Sequence, residues 1–157
     1  MRKEGTTLPE LLAVLAIMAI LASIAAPRLN GFIARQRVRG ALNLLAGDIA
    51  HARMTAVRSG RGAVLRFYPD PECASAGARA GHAYAITLRG ADPGPARRSD
   101  ARAAGGPVCL RTSGADTLAF NSRGLLVPFS NRTVWSVQGT VRDSLTVSAV
   151  GRVYRRF

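Results

Sequence analysis

Acidic residues and lysine are scarce in this sequence. Asp and Glu together number 9 against 22 Lys and Arg, which leaves a formal net charge of +13, and Lys3 is the only lysine. A chain with this imbalance is attracted to polyanions such as nucleic acid, anionic lipid or an acidic partner protein. A codon bias would also favour arginine over lysine, so that preference alone identifies no partner.

Cysteine is equally scarce, with two residues, Cys73 and Cys109. Three states are open to them: a disulfide if the domain is exported to an oxidising compartment, two free thiols, or two ligands of a metal ion. Two thiols are too few for a structural zinc site, and neither His51 nor His82 has a ligand-like spacing. We therefore expect a Cys73–Cys109 disulfide and no metal.

The sequence motifs of common enzymes are missing. His51 falls on a predicted helix and His82 in a predicted loop, and no pattern places either beside a nucleophile. The sequence has no Gly-x-Ser-x-Gly elbow and no glycine-rich loop with a lysine that would bind phosphates. It therefore predicts no catalytic residue, no cofactor and no small-molecule substrate.

An apolar segment dominates the N-terminal region. Between Leu11 and Ala26 all residues except Ser23 are Leu, Ala, Val, Ile or Met. Counted from Leu8, the segment reaches membrane-spanning length and contains Glu10, a costly residue in lipid that is typically kept for a partner. No Ala-x-Ala site follows, which disfavours a cleaved secretory signal.

The charges around this segment predict its orientation. Arg2 and Lys3 precede it, so the positive-inside rule places the N-terminus in the cytoplasm and the bulk of the chain outside. After Pro27 the pattern becomes periodic and predicts an amphipathic helix over residues 28–60 that continues the apolar one. Its apolar face comprises Leu29, Phe32, Ile33, Val38, Leu42, Leu45, Ile49, Ala52, Ala56 and Val57.

The remaining residues, 61–157, predict a β-rich domain. Strands are expected at residues 63–68, 83–88, 108–111, 117–120, 125–128, 133–138, 144–150 and 153–157. Residues from about 89 to 107 are rich in Gly, Pro, Ala and Arg, which is typical of an exposed, flexible loop. The predicted fold class is α+β, a long N-terminal helix packed on an antiparallel β-sheet.

The stretch Gly5-Thr6-Thr7-Leu8-Pro9-Glu10-Leu11-Leu12 resembles the class III signal of type IV prepilins and type II secretion pseudopilins. The resemblance implies that prepilin peptidase cuts after Gly5, removing the leader 1–5, and that Thr6 becomes an N-methylated N-terminus. It implies a helix kink at Pro27, and it matches Glu10 to the glutamate of the family signal. The amine of Thr6 can then pair with the Glu10 carboxylate of a neighbouring subunit, which fixes register in a filament.

The same resemblance implies where the protein resides and what it contacts. Residues 6–27 would anchor the chain once in the inner membrane, with the C-terminal domain in the periplasm. After assembly they would pack against other pilins in a pilus at the cell surface. A membrane-anchored protein that is never cut remains an alternative.

Later parts of the chain resemble a narrower group, the pseudopilin H proteins and FimT-like minor pilins. The matching stretches are Arg35-Gln36-Arg37-Val38, Ala52-Arg53, Phe120-Asn121-Ser122-Arg123-Gly124 and Gly151-Arg152-Val153. FimT-like minor pilins are implicated in DNA uptake during natural transformation, and a C-terminal Gly-Arg-x-Arg motif contributes to their DNA contact. Here one more residue separates the arginines after Gly151.

This resemblance implies DNA contacts at Arg152, Arg155 and Arg156, with Tyr154 among them. On an extended strand Arg152, Tyr154 and Arg156 share one face, and Arg155 occupies the other. Arginines bind phosphates without reading sequence, and stacking by Tyr154 and Phe157 would suit single-stranded DNA. In the opposite interpretation Tyr154 and Phe157 close the core and the arginines are solvated.

A structural role without DNA is the other function that the sequence leaves open. A minor pseudopilin of a type II secretion system would contact other subunits, and the positive charge would then face an acidic pilin. The second basic cluster, Arg97, Arg98 and Arg102, falls in the predicted loop, where solvation is favoured over DNA contact. Single- and double-stranded DNA are not distinguished.

Overall fold

The computed structural model describes residues 8–90 and 97–155, apart from the side chains of residues 25–27. One long helix is followed by short strands, so the predicted α+β arrangement is confirmed. The chain divides into two compact units, one ending at Ala34 and one beginning at Arg35.

The first unit contains the beginning of helix α1, which runs over Leu8–Ser59. Its large apolar side chains are exposed at Leu8, Leu11, Leu12, Val14, Leu15, Ile17, Met18, Ile20, Leu21, Ile24, Leu29 and Phe32. A contiguous apolar surface of this kind is typical of a segment that another molecule covers.

A membrane span requires a helix that is both long and apolar. In the described part of the chain, no single helix meets both requirements. The bent pair Leu8–Ile24 and Arg28–Ser59 meets them by length and composition alone. Pro27 lies in the break between the two, and its role as a helix kink stays a prediction.

In the second unit, one face of α1 is buried at three- and four-residue steps. The buried side chains are Val38, Ala41, Leu42, Leu45, Ile49, Ala52 and Ala56, and all of them except Ala41 belong to the predicted apolar face. Three residues predicted on this face are exposed: Leu29 and Phe32, which belong to the first unit, and Val57, which is turned about 100° from buried Ala56. The apolar face is therefore narrower at its end than the sequence indicates.

Two antiparallel sheets are present among the described residues. The first contains β1 (Ala63–Tyr68), β2 (Ala83–Leu88), β3 (Arg97–Asp100), β5 (Thr117–Phe120) and β6 (Leu126–Val127), in the order β3-β2-β1-β5-β6. The second contains β4 (Cys109–Thr112), β7 (Arg132–Gln138), β8 (Val141–Val147) and β9 (Val153–Arg155), in the order β4-β7-β8-β9. Buried side chains of both sheets join the helix face in one core.

The segment expected to be a flexible loop, about 89–107, is partly regular. Strand β3 pairs with β2, and a short 3-10 helix follows at Ala101–Ala104. The expectation was wrong for these residues because β3 is an edge strand with mostly exposed polar side chains, so it lacks the apolar alternation that predicts strands. Residues 91–96 lie outside the described part of the chain.

Asp48 is the polar residue that holds β3 in place. It lies on α1 and is only 3% exposed. Its Oδ2 accepts hydrogen bonds from the hydroxyls of Tyr84 at 2.8 Å and Ser99 at 2.6 Å. A guanidinium nitrogen of Arg97 lies 3.4 Å from Oδ1. Since a buried carboxylate is stable only when paired and hydrogen-bonded, these contacts bind β2 and β3 to the helix.

Cys73 and Cys109 form a disulfide, with a sulfur–sulfur distance of 2.07 Å. Cys73 belongs to a 3-10 helix at Pro71–Ala76, and Cys109 begins β4. The bond therefore links the connection between β1 and β2 of the first sheet to β4, an edge strand of the second sheet. Of the three states that the sequence leaves open, the disulfide is the one present.

Replacing both cysteines by alanine should lower the free energy of unfolding by roughly 3–4 kcal/mol, because the bond closes a loop across a sequence separation of 36 residues. Guanidinium titration of the full chain in nonionic detergent measures this loss. The unreduced parent protein is the reference, and the parent treated with dithiothreitol should match the variant. Equal stability of the variant and the unreduced parent would contradict the prediction.

Tyr84 predicts a loss of stability at alkaline pH. Burial, and then the hydrogen bond to the Asp48 carboxylate, raise the pKa of the Tyr84 phenol above its ordinary range. The unfolded chain releases this proton at a lower pH than the folded chain does. The stabilisation that the Tyr84 phenol provides is therefore complete below about pH 10 and is lost as the pH rises further. The free energy of unfolding should fall with a slope that approaches roughly 1.4 kcal/mol per pH unit.

Denaturant titrations between about pH 9 and 12 test this slope. The variant Tyr84→Phe should lack it, whatever its stability at neutral pH. The matched control Tyr68→Phe removes an exposed tyrosine hydroxyl from β1 and should keep the slope. The same slope in Tyr84→Phe as in the parent would refute the assignment.

Candidate functional site

Three stretches that are far apart in sequence meet beside the last turns of α1. The Nε of Arg53 donates a hydrogen bond to the carbonyl of Gly124 at 3.2 Å. The amide of Leu126 donates to the carbonyl of Ala149 at 2.9 Å. The stretches Ala52-Arg53, Phe120–Gly124 and Gly151–Val153 are therefore neighbours in the fold.

Two glycines make room for Arg53. Gly151 has φ +75°, and a Cβ there would lie 2.6 Å from the carbonyl oxygen of Gly124 and 2.9 Å from Cδ of Arg53. Gly124 has φ +74°, and its Cβ would lie 3.1 Å from Cγ of Arg53. The Arg53 side chain lies against both glycine backbones. Two glycines from separate stretches of the sequence are therefore needed to leave room for this one side chain.

The turn before Gly124 is built by Asn121. Its Oδ1 accepts hydrogen bonds from the amides of Arg123 at 2.9 Å and Leu125 at 3.0 Å. An asparagine that binds its own following backbone in this way is a common device of tight turns. The turn leaves the side chain of Arg123 exposed.

A groove of about 640 Å³ opens between the last turns of α1 and β9. Its lining consists of Ala46, Ala50, Arg53, Met54, Val57, Arg58, Gly151, Arg152, Val153 and Tyr154. We call this surface the β9 groove. Within the described ranges, none of its three arginines forms an ion pair with a carboxylate. The groove thus combines an apolar floor with uncompensated positive charge.

The structure separates the arginines that were predicted to act together. Arg152 and Tyr154 are exposed, whereas Arg155 is held: its side chain is 22% exposed. The Arg155 guanidinium donates to Oδ1 of Asn43 at 2.8 Å and to Oδ2 of Asp143 at 3.2 Å. These contacts tie β9 to α1 and β8 and leave Arg155 less available to a polyanion.

The other predicted site residues are placed as follows. Glu10 is exposed in the first turn of α1. Gly5, Thr6, Arg156 and Phe157 lie outside the described residues, so the roles assigned to them stay predictions. Of the second basic cluster, Arg97 contacts Asp48 and Arg102 contacts Glu72 at 2.7 Å, which makes both structural partners of carboxylates.

Sequence reasoning missed the part played by the helix. Met54 and Arg58 were not singled out, and Val57 was assigned to the core, although all three line the β9 groove. The signal that points to this place is the Ala52-Arg53 match combined with the two distant glycine motifs. The sequence offers no rule that brings these stretches together.

Two groups of described side chains are close enough to hold a metal ion. The first is Cys73, His82 and Cys109, but its sulfurs are joined in the disulfide and offer no thiolate. The second is Asp70, Glu72 and His82. There a nitrogen of the Arg102 guanidinium lies 2.7 Å from Glu72 Oε2 and 3.6 Å from Asp70 Oδ2, so a cation already neutralises the carboxylates.

The fit of Arg53 against Gly151 is testable by thermal unfolding. The variant Gly151→Ala should lose more than the roughly 1–2 kcal/mol that a left-handed backbone costs an L-residue, because its Cβ also meets Gly124 and Arg53. Gly139→Ala is the matched control: Gly139 has φ +58°, and an added Cβ there would meet nothing within 4 Å. It should show the backbone cost alone, and equal losses in the two variants would contradict the steric argument.

The fold is similar to that of a solved minor pilin. The type IV minor pilin FimU of Pseudomonas aeruginosa strain PAO1 matches with a TM-score of 0.61 in space group P21, at 22% identity, over 80% of this chain and 92% of FimU. Its P65 crystal form gives a TM-score of 0.58 at 22% identity, over 75% and 91%. At this identity the likeness establishes the pilin fold.

Two sequence comparisons complete the assignment. The comparison with curated protein sequences gives no match. Residues 41–151 match the family model described as GspH, type II transport protein GspH. This range covers most of the second unit, including Arg53, Gly124 and Gly151. The chain therefore belongs to the GspH family and has the pilin fold.

Proposed function

We propose that the protein is a minor pilin of a type IV pilus that binds DNA without sequence preference during natural transformation. The observation that carries the proposal is the β9 groove, where Arg53, Arg58 and Arg152 lie beside exposed Tyr154 without a carboxylate partner among the described residues. The GspH family membership supports the pilin-like part of this function.

Assembly depends on the N-terminal segment. Cleavage after Gly5 by prepilin peptidase, and methylation of Thr6, would prepare residues 6–27 for the filament core. The exposed apolar side chains of the first unit supply the surface that the inner membrane covers before assembly and other pilins cover afterwards. Glu10 then pairs with the N-terminal amine of a neighbouring subunit and sets the register.

DNA contact depends on the groove arginines. Guanidinium groups form forked hydrogen bonds with phosphate oxygens, and each phosphate neutralised releases counterions. Because phosphates carry no sequence information, such contacts suit the uptake of arbitrary DNA. Of the two arginines described on and beside β9, Arg152 is better placed for DNA contact than Arg155, which is engaged by Asp143 and Asn43.

A structural pseudopilin of a type II secretion system is the second candidate. The description of the matching family model, a type II transport protein, favours it. In that role the β9 groove would face an acidic segment of another subunit, and no nucleic acid would bind. The two candidates share the fold and the N-terminal processing, so a binding measurement separates them.

The double variant Arg58→Gln/Arg152→Gln should weaken binding to fluorescent DNA by at least about tenfold, because two charged contacts are lost. The slope of log affinity against log salt should fall by about 2 in magnitude. The measurement is fluorescence anisotropy with the full chain in nonionic detergent at several salt concentrations.

The matched control is Arg66→Gln, which removes an exposed arginine from the outer face of β1. It should bind almost as the parent does. If the parent itself fails to bind DNA at low salt, the DNA proposal is wrong and the structural pseudopilin is the better description. If Arg66→Gln weakens binding as much as the double variant Arg58→Gln/Arg152→Gln does, the net charge binds DNA and the groove has no special part.

A further inference from the structure

We propose that the β9 groove receives unpaired bases, so that the DNA form it prefers is a single strand. This inference rests on the proposed function and specifies the ligand of the same site. It follows from the chemistry of the floor, the fixed orientation of Tyr154 and the charge of the rim.

The floor of the groove is apolar. Ala46, Ala50, Met54 and Val57 come from one face of α1, and Val153 from β9. Met54 and Val57 are 52% and 50% exposed. A DNA duplex presents sugar and phosphate outwards and keeps its base faces stacked inside, so it has nothing apolar to bury here. An unpaired base has an apolar face that can be buried in the groove.

Tyr154 is held in an orientation that suits stacking. Its Cα pairs with that of Thr146 in the β8–β9 ladder. The neighbours of Tyr154 on β9 point the other way: Val153 packs against the core, and Arg155 is bonded to Asp143. The backbone is thereby fixed with the Tyr154 side chain exposed at the groove. Aromatic side chains beside positive charge are what single-strand binding surfaces combine.

The rim selects an anion. Arg53, Arg58 and Arg152 line the groove, and no acidic residue is among its lining residues. A volume of about 640 Å³ is within the usual range of sites for small organic groups. A nucleotide strand offers both components, a flat apolar base for the floor and phosphates for the exposed Arg58 and Arg152. An acidic peptide offers the charge without the flat ring.

The test compares three fluorescent probes with equal numbers of phosphates: a thymidine single strand, a duplex and an abasic strand. The full chain in nonionic detergent should bind the single strand about tenfold more tightly than either of the others, because only that probe stacks. The abasic strand needs no protein variant, so this comparison is independent of folding.

Protein variants locate the stacking. Tyr154→Leu should abolish the preference by lowering single-strand affinity to about that of the duplex, and Tyr154→Trp should keep the preference. The matched control Tyr68→Leu removes an exposed tyrosine from β1 that does not line the groove, and it should keep the preference. Thermal unfolding of each variant verifies that the fold is retained.

Equal affinity of the parent for all three probes would overturn the inference and leave the proposed function intact. So would a Tyr154→Leu variant that keeps the preference, since the bases would then stack elsewhere. No binding of any probe at low salt would instead remove the proposed function, and the groove would remain as a surface for an acidic segment of a neighbouring subunit.

Discussion

The buried face of α1 is the constraint on which the rest of this structure depends. Leu42, Leu45 and Ile49 belong to the same core as buried side chains of both sheets. A sheet with one apolar face needs a second layer to cover it, and here a single helix contributes to that layer for two sheets. The rotation of α1 about its axis is thereby fixed. It follows that Arg53, Met54 and Val57, which flank this face, are directed towards Gly124, Gly151 and β9.

Asp48 shows how a polar residue can be accommodated in that face. A carboxylate among leucines is unfavourable unless its oxygens are satisfied, and Tyr84, Ser99 and Arg97 satisfy them. Replacing a whole buried ion pair by apolar residues is often neutral for stability, whereas removing one partner leaves the others unsatisfied and is not. The polar contacts therefore determine which strand lies at this edge of the sheet, a choice that apolar packing alone would not make.

Local pattern was enough to predict the elements whose burial alternates. The buried stripe on α1 from Val38 to Ala56 and the bounds of β1, β2 and β5 agree with the sequence expectation. Strand β3 was missed because its stabilising contacts are long-range and polar. Strand β8 was expected at residues 144–150 but begins at Val141, since Gln138 pairs with Val141 directly across a two-residue turn. The earlier start brings Asp143 into the strand. Because the expected strand began at residue 144, the sequence did not predict the contact between Asp143 and Arg155.

The anchoring of Arg155 has a mechanical consequence. Strand β9 is held by three residue pairs with β8 and by the bonds from Arg155 to Asn43 and Asp143. A ligand held at Arg152 and Tyr154 that is pulled along the strand loads all of these bonds together, in shear, instead of opening them one after another. Tension on the short strand β9 would therefore pass to β8 and to α1 through Arg155, although β9 lies at the edge of its sheet.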